Sequence, residues 1–172
     1  NASKAQVDPA TVDLDPIVED QLQDFLFSIA AMYNEHGFHN FKHASNVATA
    51  ANKYMQRLKD DVLELQVFEP LTHLGIIFAA LIHDVDHPGC SNAMLVSKDN
   101  KLALKYHMRS VAEQHSIDVA WEAFMSEGYK ELRSAFFADQ DELQRFRKLV
   151  VNCVLATDLF DKKLMDNRLS CW

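Results

Sequence analysis

Five consecutive residues, His83-Asp84-Val85-Asp86-His87, hold four ionisable side chains between the apolar Leu81-Ile82 and a Pro88-Gly89 break. Charges packed that densely at the end of an apolar run are costly in a protein interior unless they are paired or bind an ion. Histidine and carboxylate together are ligands for zinc-like and for harder divalent ions. Upstream, His39 and His43 stand four residues apart, a spacing that puts both on one face of a helix. Either pair alone also serves structural roles. Together, a His from one segment and an adjacent His-Asp from another can converge on one ion. A carboxylate such as Asp84 can bridge two ions through its two oxygens, and paired ions acidify water and clamp a phosphoryl group. The chemistry within reach is metal-assisted phosphoester hydrolysis.

Ligands from separate segments must be held rigidly, and the segments read as helices. The chain has 172 residues, 48% of them hydrophobic, with only 4 Gly and 4 Pro. That suits one all-α domain with a sizeable core. Residues 1–14 form a lead-in, after which Asp15 can cap and Pro16 can open a helix carrying Leu22, Phe25, Leu26, Ile29 and Tyr33, with Gly37 as terminator. The next helix includes His39 and His43 and continues to Leu58. A polar connector from Asp60-Asp61 to about Pro70 precedes the apolar stripe Leu71, Leu74, Ile77, Phe78, Leu81 and Ile82, which runs straight into His83. Ser91 can cap a short helix with Met94 and Leu95, and a short apolar piece covers Leu102 to Tyr106. Ser110-Val111-Ala112-Glu113 has the capping-box pattern. After Gly128 comes an amphipathic piece with Leu132 and Phe136. Asp139 opens the last long helix, which runs to Thr157-Asp158.

The net charge is −8, from 25 acidic and 17 basic residues, and no basic stripe suits a nucleic-acid backbone. An acidic chain can still act on anions if bound cations reverse the local field. The cysteines, Cys90, Cys153 and Cys171, form neither a CxxC pair nor a disulfide framework, which fits a reducing, intracellular setting. No apolar run is long enough to span a membrane, and Asn1-Ala2-Ser3-Lys4 is not a signal peptide. The missing initiator Met suggests an excised piece of a longer protein.

His39-Asn40-x-x-His43-Ala44, then His83-Asp84-Val85-Asp86-His87-Pro88-Gly89-x-Ser91-Asn92, then Ser110-Val111-x-Glu113-x-His115, then Leu155-Ala156-Thr157-Asp158 occur in that order. Over about Asp15 to Asp158 the chain resembles the catalytic domain of the class I 3′,5′-cyclic nucleotide phosphodiesterases, HD-type metal hydrolases of an all-α, multi-helix bundle fold. The resemblance implies two divalent ions. His43, His83 and Asp84 match ligands of the tighter, zinc-like site, and Asp84 also matches the bridge to a second, magnesium- or manganese-like ion. His39 matches the general acid that protonates the departing ribose O3′. Asp86 and His87 match residues that touch the ions' water shell or orient ligands. Glu113 matches an acid that orients His39 or holds that water. Phe38, Asn92, Thr157 and Asp158 fall at the substrate pocket. The implied reaction converts cAMP, cGMP or both to nucleoside 5′-monophosphates.

The match has departures. The run Glu113-Gln114-His115-Ser116 lacks the second of two consecutive histidines common in the family, and Phe38 replaces a frequent Tyr. The family's last metal-ligating Asp, its base-binding glutamine and its stacking aromatic lie later, and neither Asp161 nor Asp166 sits in the expected context. Residues 15–172 are therefore expected to be the N-terminal half of a cytoplasmic catalytic domain. A fragment lacking the rest would expose apolar surface and self-associate. Two rivals remain: another HD-type hydrolase acting on nucleoside triphosphates or alarmones, and a non-catalytic helical module that binds a nucleotide or a partner.

Overall fold

The structure, a computed structural model, describes residues 13–35, 37–58, 69–98 and 101–159 in full, together with the backbone of 59–61. Helix α1 spans Pro16–Ala31, with Pro16 in its first turn and the Asp15 carboxylate accepting the Ile17 amide at 3.0 Å. It ends at Ala31, short of Tyr33 and Gly37. Two bonds tie the chain beyond it to the end of the third helix and the turn that follows. The Tyr33 hydroxyl donates to the Leu81 carbonyl at 2.7 Å, and the Met32 carbonyl accepts the Asp86 amide at 3.1 Å.

Helix α2 spans Phe41–Asp61 and so takes in the start of the expected polar connector, whose residues 62–68 lie outside the described residues. It begins later than the four-residue His spacing suggests. Asn40 is the reason: its side-chain oxygen accepts the His43 amide at 3.0 Å while its nitrogen donates to the Gly37 carbonyl at 2.8 Å. Asn40 thus acts as the cap. His39 precedes the helix, so His39 and His43 do not share a helical face.

Helix α3, Pro70–Ile82, carries the apolar stripe and buries Gly75, Phe78, Ala79 and Ile82. It lies between α2 and α8, which spans Gln140–Leu155. Gly75 permits close approach to α8: a Cβ there would stand 2.7 Å from Leu149 Cδ2. The α4 helix is Asn92–Ser97, capped by Ser91 as expected, and α5 is Lys101–Lys105. Helix α6, Val111–Phe124, joins two cores. Its first residue packs with Leu95, Ala103 and Tyr106, while Ile117, Ala120 and Phe124 enter the main cluster with Phe25, Phe78 and Phe146. The Phe78 ring lies 5.1 Å from Phe124 and 5.3 Å from Phe146, in edge-on contacts that aromatic quadrupoles favour.

A 3₁₀ turn, Glu127–Tyr129, and α7, Lys130–Phe136, follow, and Asp139 caps α8 by accepting the Glu142 amide at 2.9 Å. The capping box expected at Ser110-Glu113 does not form. Ser110 has φ +36, and its hydroxyl turns to Asp158. The fold is all-α, with no strand among the described residues. None of its described helices is long and apolar enough to cross a membrane.

Candidate metal centre and active site

The end of α3 delivers the charged cluster. His83 is its C-cap, and the turn beyond is closed by Val85 N–H to the Ile82 carbonyl and His87 N–H to the Asp84 carbonyl, each at 3.1 Å. Fully buried Val85 anchors the turn, its carbonyl accepting the Ser116 hydroxyl of α6 at 2.7 Å. Asp86 takes φ +51, a left-handed conformation tolerated best by Gly, Asn and Asp.

Three imidazoles crowd one carboxylate oxygen. Asp84 Oδ2 lies 2.9 Å from His39 Nδ1, 3.1 Å from His83 Nε2 and 3.8 Å from His43 Nε2. Burial pushes the Asp84 carboxyl up, but hydrogen bonds and charge from His83 and His39 overcome it and hold it at about 2. Burial likewise pushes His83 down, and its bond to Asp84 more than reverses that, leaving it raised. Burial and the neighbouring His83 lower His43; burial and His39 lower His87. His43 and His87 are therefore biased toward the neutral form that binds metal.

The donor set fits a divalent ion on its own chemistry. His83 Nδ1 lies 2.8 Å from the Ala80 carbonyl, which can only accept, so that nitrogen carries the proton. A neutral His83 then turns its Nε2 lone pair on the Asp84 oxygen. Two acceptors at that distance call for positive charge between them. Ligand atoms of His43, His83 and Asp84 all lie within 4.8 Å of one another, as do those of His39, Asp84 and His87. Asp84 belongs to both groups, as a bridging carboxylate must.

Beside these groups opens a cavity of about 520 Å³ lined by His39, His87, Asn92, Glu113, Thr157 and Asp158, among others. Glu113, raised mainly by burial, accepts from the Asn92 amide at 2.8 Å. The Thr157 hydroxyl donates to the Val154 carbonyl at 2.7 Å. Phe38 is exposed and stands outside the cavity lining, with its ring 4.2 Å from that of His43. His39 and His87 stack with centroids 3.8 Å apart. Asp86 belongs to neither donor group; its carboxylate meets His115 Nε2 at 2.8 Å. Tyr33, Ser110 and Ser116 buttress the site in ways their sequence positions, in an apolar stripe, a capping-box pattern and a family motif, did not suggest. Their hydroxyl bonds span 48, 48 and 31 residues, and no local pattern announces contacts of that range.

Residues 38–167 match the family model of the 3′5′-cyclic nucleotide phosphodiesterases. The chain is similar to the "Probable 3′,5′-cyclic-AMP phosphodiesterase pde-4" of Caenorhabditis elegans, 37% identical over 145 residues, covering 83% of this chain and 20% of that protein. It is similar to 3′,5′-cyclic-AMP phosphodiesterase 4C of Mus musculus, 35% identical over 144 residues, with 83% and 20% covered. Its fold is similar to the crystal structure of the phosphodiesterase domain of Salpingoeca rosetta rhodopsin phosphodiesterase. There the TM-score is 0.70 and the identity 27%, over 90% of this chain and 46% of that one. The chain thus spans a fifth of each of these relatives' length and just under half of the solved domain. A match over most of its length, in the same helical layout, makes this chain a member of the 3′,5′-cyclic nucleotide phosphodiesterase family.

Proposed function

We propose that the protein carrying this chain hydrolyses 3′,5′-cyclic nucleotides, cAMP first among them, to nucleoside 5′-monophosphates in cytoplasmic signalling. The observation that carries this reading is Asp84, shared by two donor groups at the edge of a cavity. The cAMP preference is supported by the names of the relatives. His43, His83 and Asp84 would hold a zinc-like ion, and Asp84 would also serve a magnesium- or manganese-like one. Such ions supply charge stabilisation at the phosphoryl group and acidify water at neutral pH.

The remaining roles belong to side chains. His39 is held through Nδ1 by Asp84, which leaves Nε2 to deliver a proton to the departing ribose O3′. Without that proton the leaving group would be an alkoxide, and a positioned acid is worth roughly 10²–10⁴-fold. His87 stacks on His39 and fixes its ring plane. Glu113, Thr157 and Asp158 would confine the substrate on the cavity wall, which Asn92 also lines. Phe38 packs on His43 outside the cavity, and Asp86 steadies the turn through His115.

Residues 15–172 would be the N-terminal part of the catalytic domain, the remainder supplying a further aspartate ligand and the base-binding residues. That reading is supported by the coverage of just under half of the solved phosphodiesterase domain. The test is hydrolysis of cAMP and cGMP by the full-length protein, with and without chelator and with metal content measured. Turnover that chelator abolishes is expected. A metal-loaded protein that cleaves neither cyclic nucleotide, or that cleaves nucleoside triphosphates instead, overturns the reading.

A further inference from the structure

Helix α6 starts without the cap that its own sequence offers. Ser110 gives its hydroxyl to Asp158 Oδ2 at 2.8 Å, and Glu113 Oε2 is engaged by Asn92 Nδ2. First-turn amides have no partner inside their helix and need one from elsewhere. For Ala112 that partner is Asn92 Oδ1, at 2.9 Å, reaching across from α4. A side chain 20 residues upstream does the capping.

The other end of the same side chain meets two carboxylates. Asn92 Nδ2 lies 2.8 Å from Glu113 Oε2 and 3.2 Å from Asp158 Oδ2. One carboxylate comes from α6 and the other from the turn after α8. A carboxamide is the neutral side-chain group that can give two hydrogens to two carboxylates while accepting a backbone amide. Aspartate has the same shape and could still accept from Ala112, but it would turn oxygen toward both carboxylates. Asn92 thus ties three elements at one point on the cavity wall.

We infer that Asn92 is a positioning residue, which holds Glu113 and Asp158 in place on the wall by capping α6 from α4 and bridging the two carboxylates, and is not itself a substrate contact. Only the kinetic arm of its test rests on the proposed hydrolysis.

The test compares Asn92→Ala and Asn92→Asp in the full-length protein. Hydrogen exchange at the Ala112 amide reads the cap directly. In Asn92→Ala it should quicken roughly fivefold or more, with Tm falling by about 3–6 °C. In Asn92→Asp the Ala112 protection should persist. Turnover of cAMP reads the bridge: kcat should fall in both variants by about 10- to 100-fold, the range found when a residue that orients a site's working groups is lost, while KM changes little. Unchanged Ala112 protection in Asn92→Ala overturns the inference, as does wild-type kcat in Asn92→Asp. A raised KM at unchanged kcat would make Asn92 a substrate contact and also overturn it. If the wild type turns over no cAMP, the proposed hydrolysis fails. The Ala112 exchange, and a Tm in Asn92→Asp below that of the wild type, then decide the inference by themselves.

Discussion

His83 Nε2 faces Asp84 Oδ2 at 3.1 Å while Nδ1 of the same ring is committed to the Ala80 carbonyl at 2.8 Å. In the metal-free protein only a proton can satisfy that geometry, and the raised pKa of His83 follows from it. Protons and metal therefore compete for one nitrogen.

That competition has a pH signature in chelator. Asp84 is held below its ordinary 3.8, at about 2, so its contribution is present above the ordinary value and lost as pH falls toward 2. His83 is raised above its ordinary 6.5, so its contribution is full below that value and lost as pH rises through the raised one. The Tm advantage of wild type over Asp84→Asn should peak between these limits, fade in acid, and fade or reverse in base. With zinc added, the advantage should instead grow as pH rises, because the imidazole must lose its proton to bind. Thermal melts across pH check both, and a flat metal-free profile contradicts the pairing.

Removing His39 separates proton delivery from metal binding. His39→Ala should lower kcat by roughly 10²–10⁴-fold while leaving metal content unchanged. Elemental analysis beside a turnover assay decides this. Loss of one equivalent of metal would instead make His39 a ligand, through the donor group it already forms with Asp84 and His87.

The close approach of α3 and α8 depends on Gly75. A Cβ would meet the end of the Leu149 side chain, which can shift, and alanine gains about 1 kcal/mol of helix propensity over glycine. Gly75→Ala should be near neutral. Gly75→Val should destabilise by about 1–3 kcal/mol through overpacking, and Leu149→Ala should recover part of that loss. Urea titrations of the single and double variants test it; additive losses would show that the two sites do not touch.

Asp86 separates backbone strain from side-chain bonding. Its φ of +51 costs an ordinary residue about 1–2 kcal/mol, and its carboxylate holds His115. Asp86→Gly and Asp86→Ala both lose the bond, but only glycine escapes the strain. Glycine should be the more stable variant by about 1 kcal/mol, as read by urea midpoints. Equal stability would mean that the turn relaxes out of the left-handed region.

The clustering of the candidate ligands was legible because it takes two short segments to announce it: the structure brings His39 and His43 from one together with His83 and Asp84 from the other. The starts of α1, α4 and α8 were legible as well, since Asp15, Ser91 and Asp139 each cap within three residues. The start of α6 was not. Ser110 and Glu113 have the right spacing, but each finds a better partner across the fold, and competition of that kind leaves no trace in a local pattern. His39 is an intermediate case. Asn40 is a good cap residue standing between it and the helix, and reading that signal ahead of the four-residue spacing would have put His39 outside α2.

The bond from the Asp86 amide to the Met32 carbonyl has a kinetic meaning. That hydrogen cannot exchange with deuterium until the end of α1 and the turn carrying His83 and Asp84 come apart. A single backbone amide, followed by NMR, would then serve as a clock for the opening of the centre, ticking without substrate or turnover. Its rate would also reveal whether a distant change in α1 has loosened the turn that carries the candidate ligands His83 and Asp84.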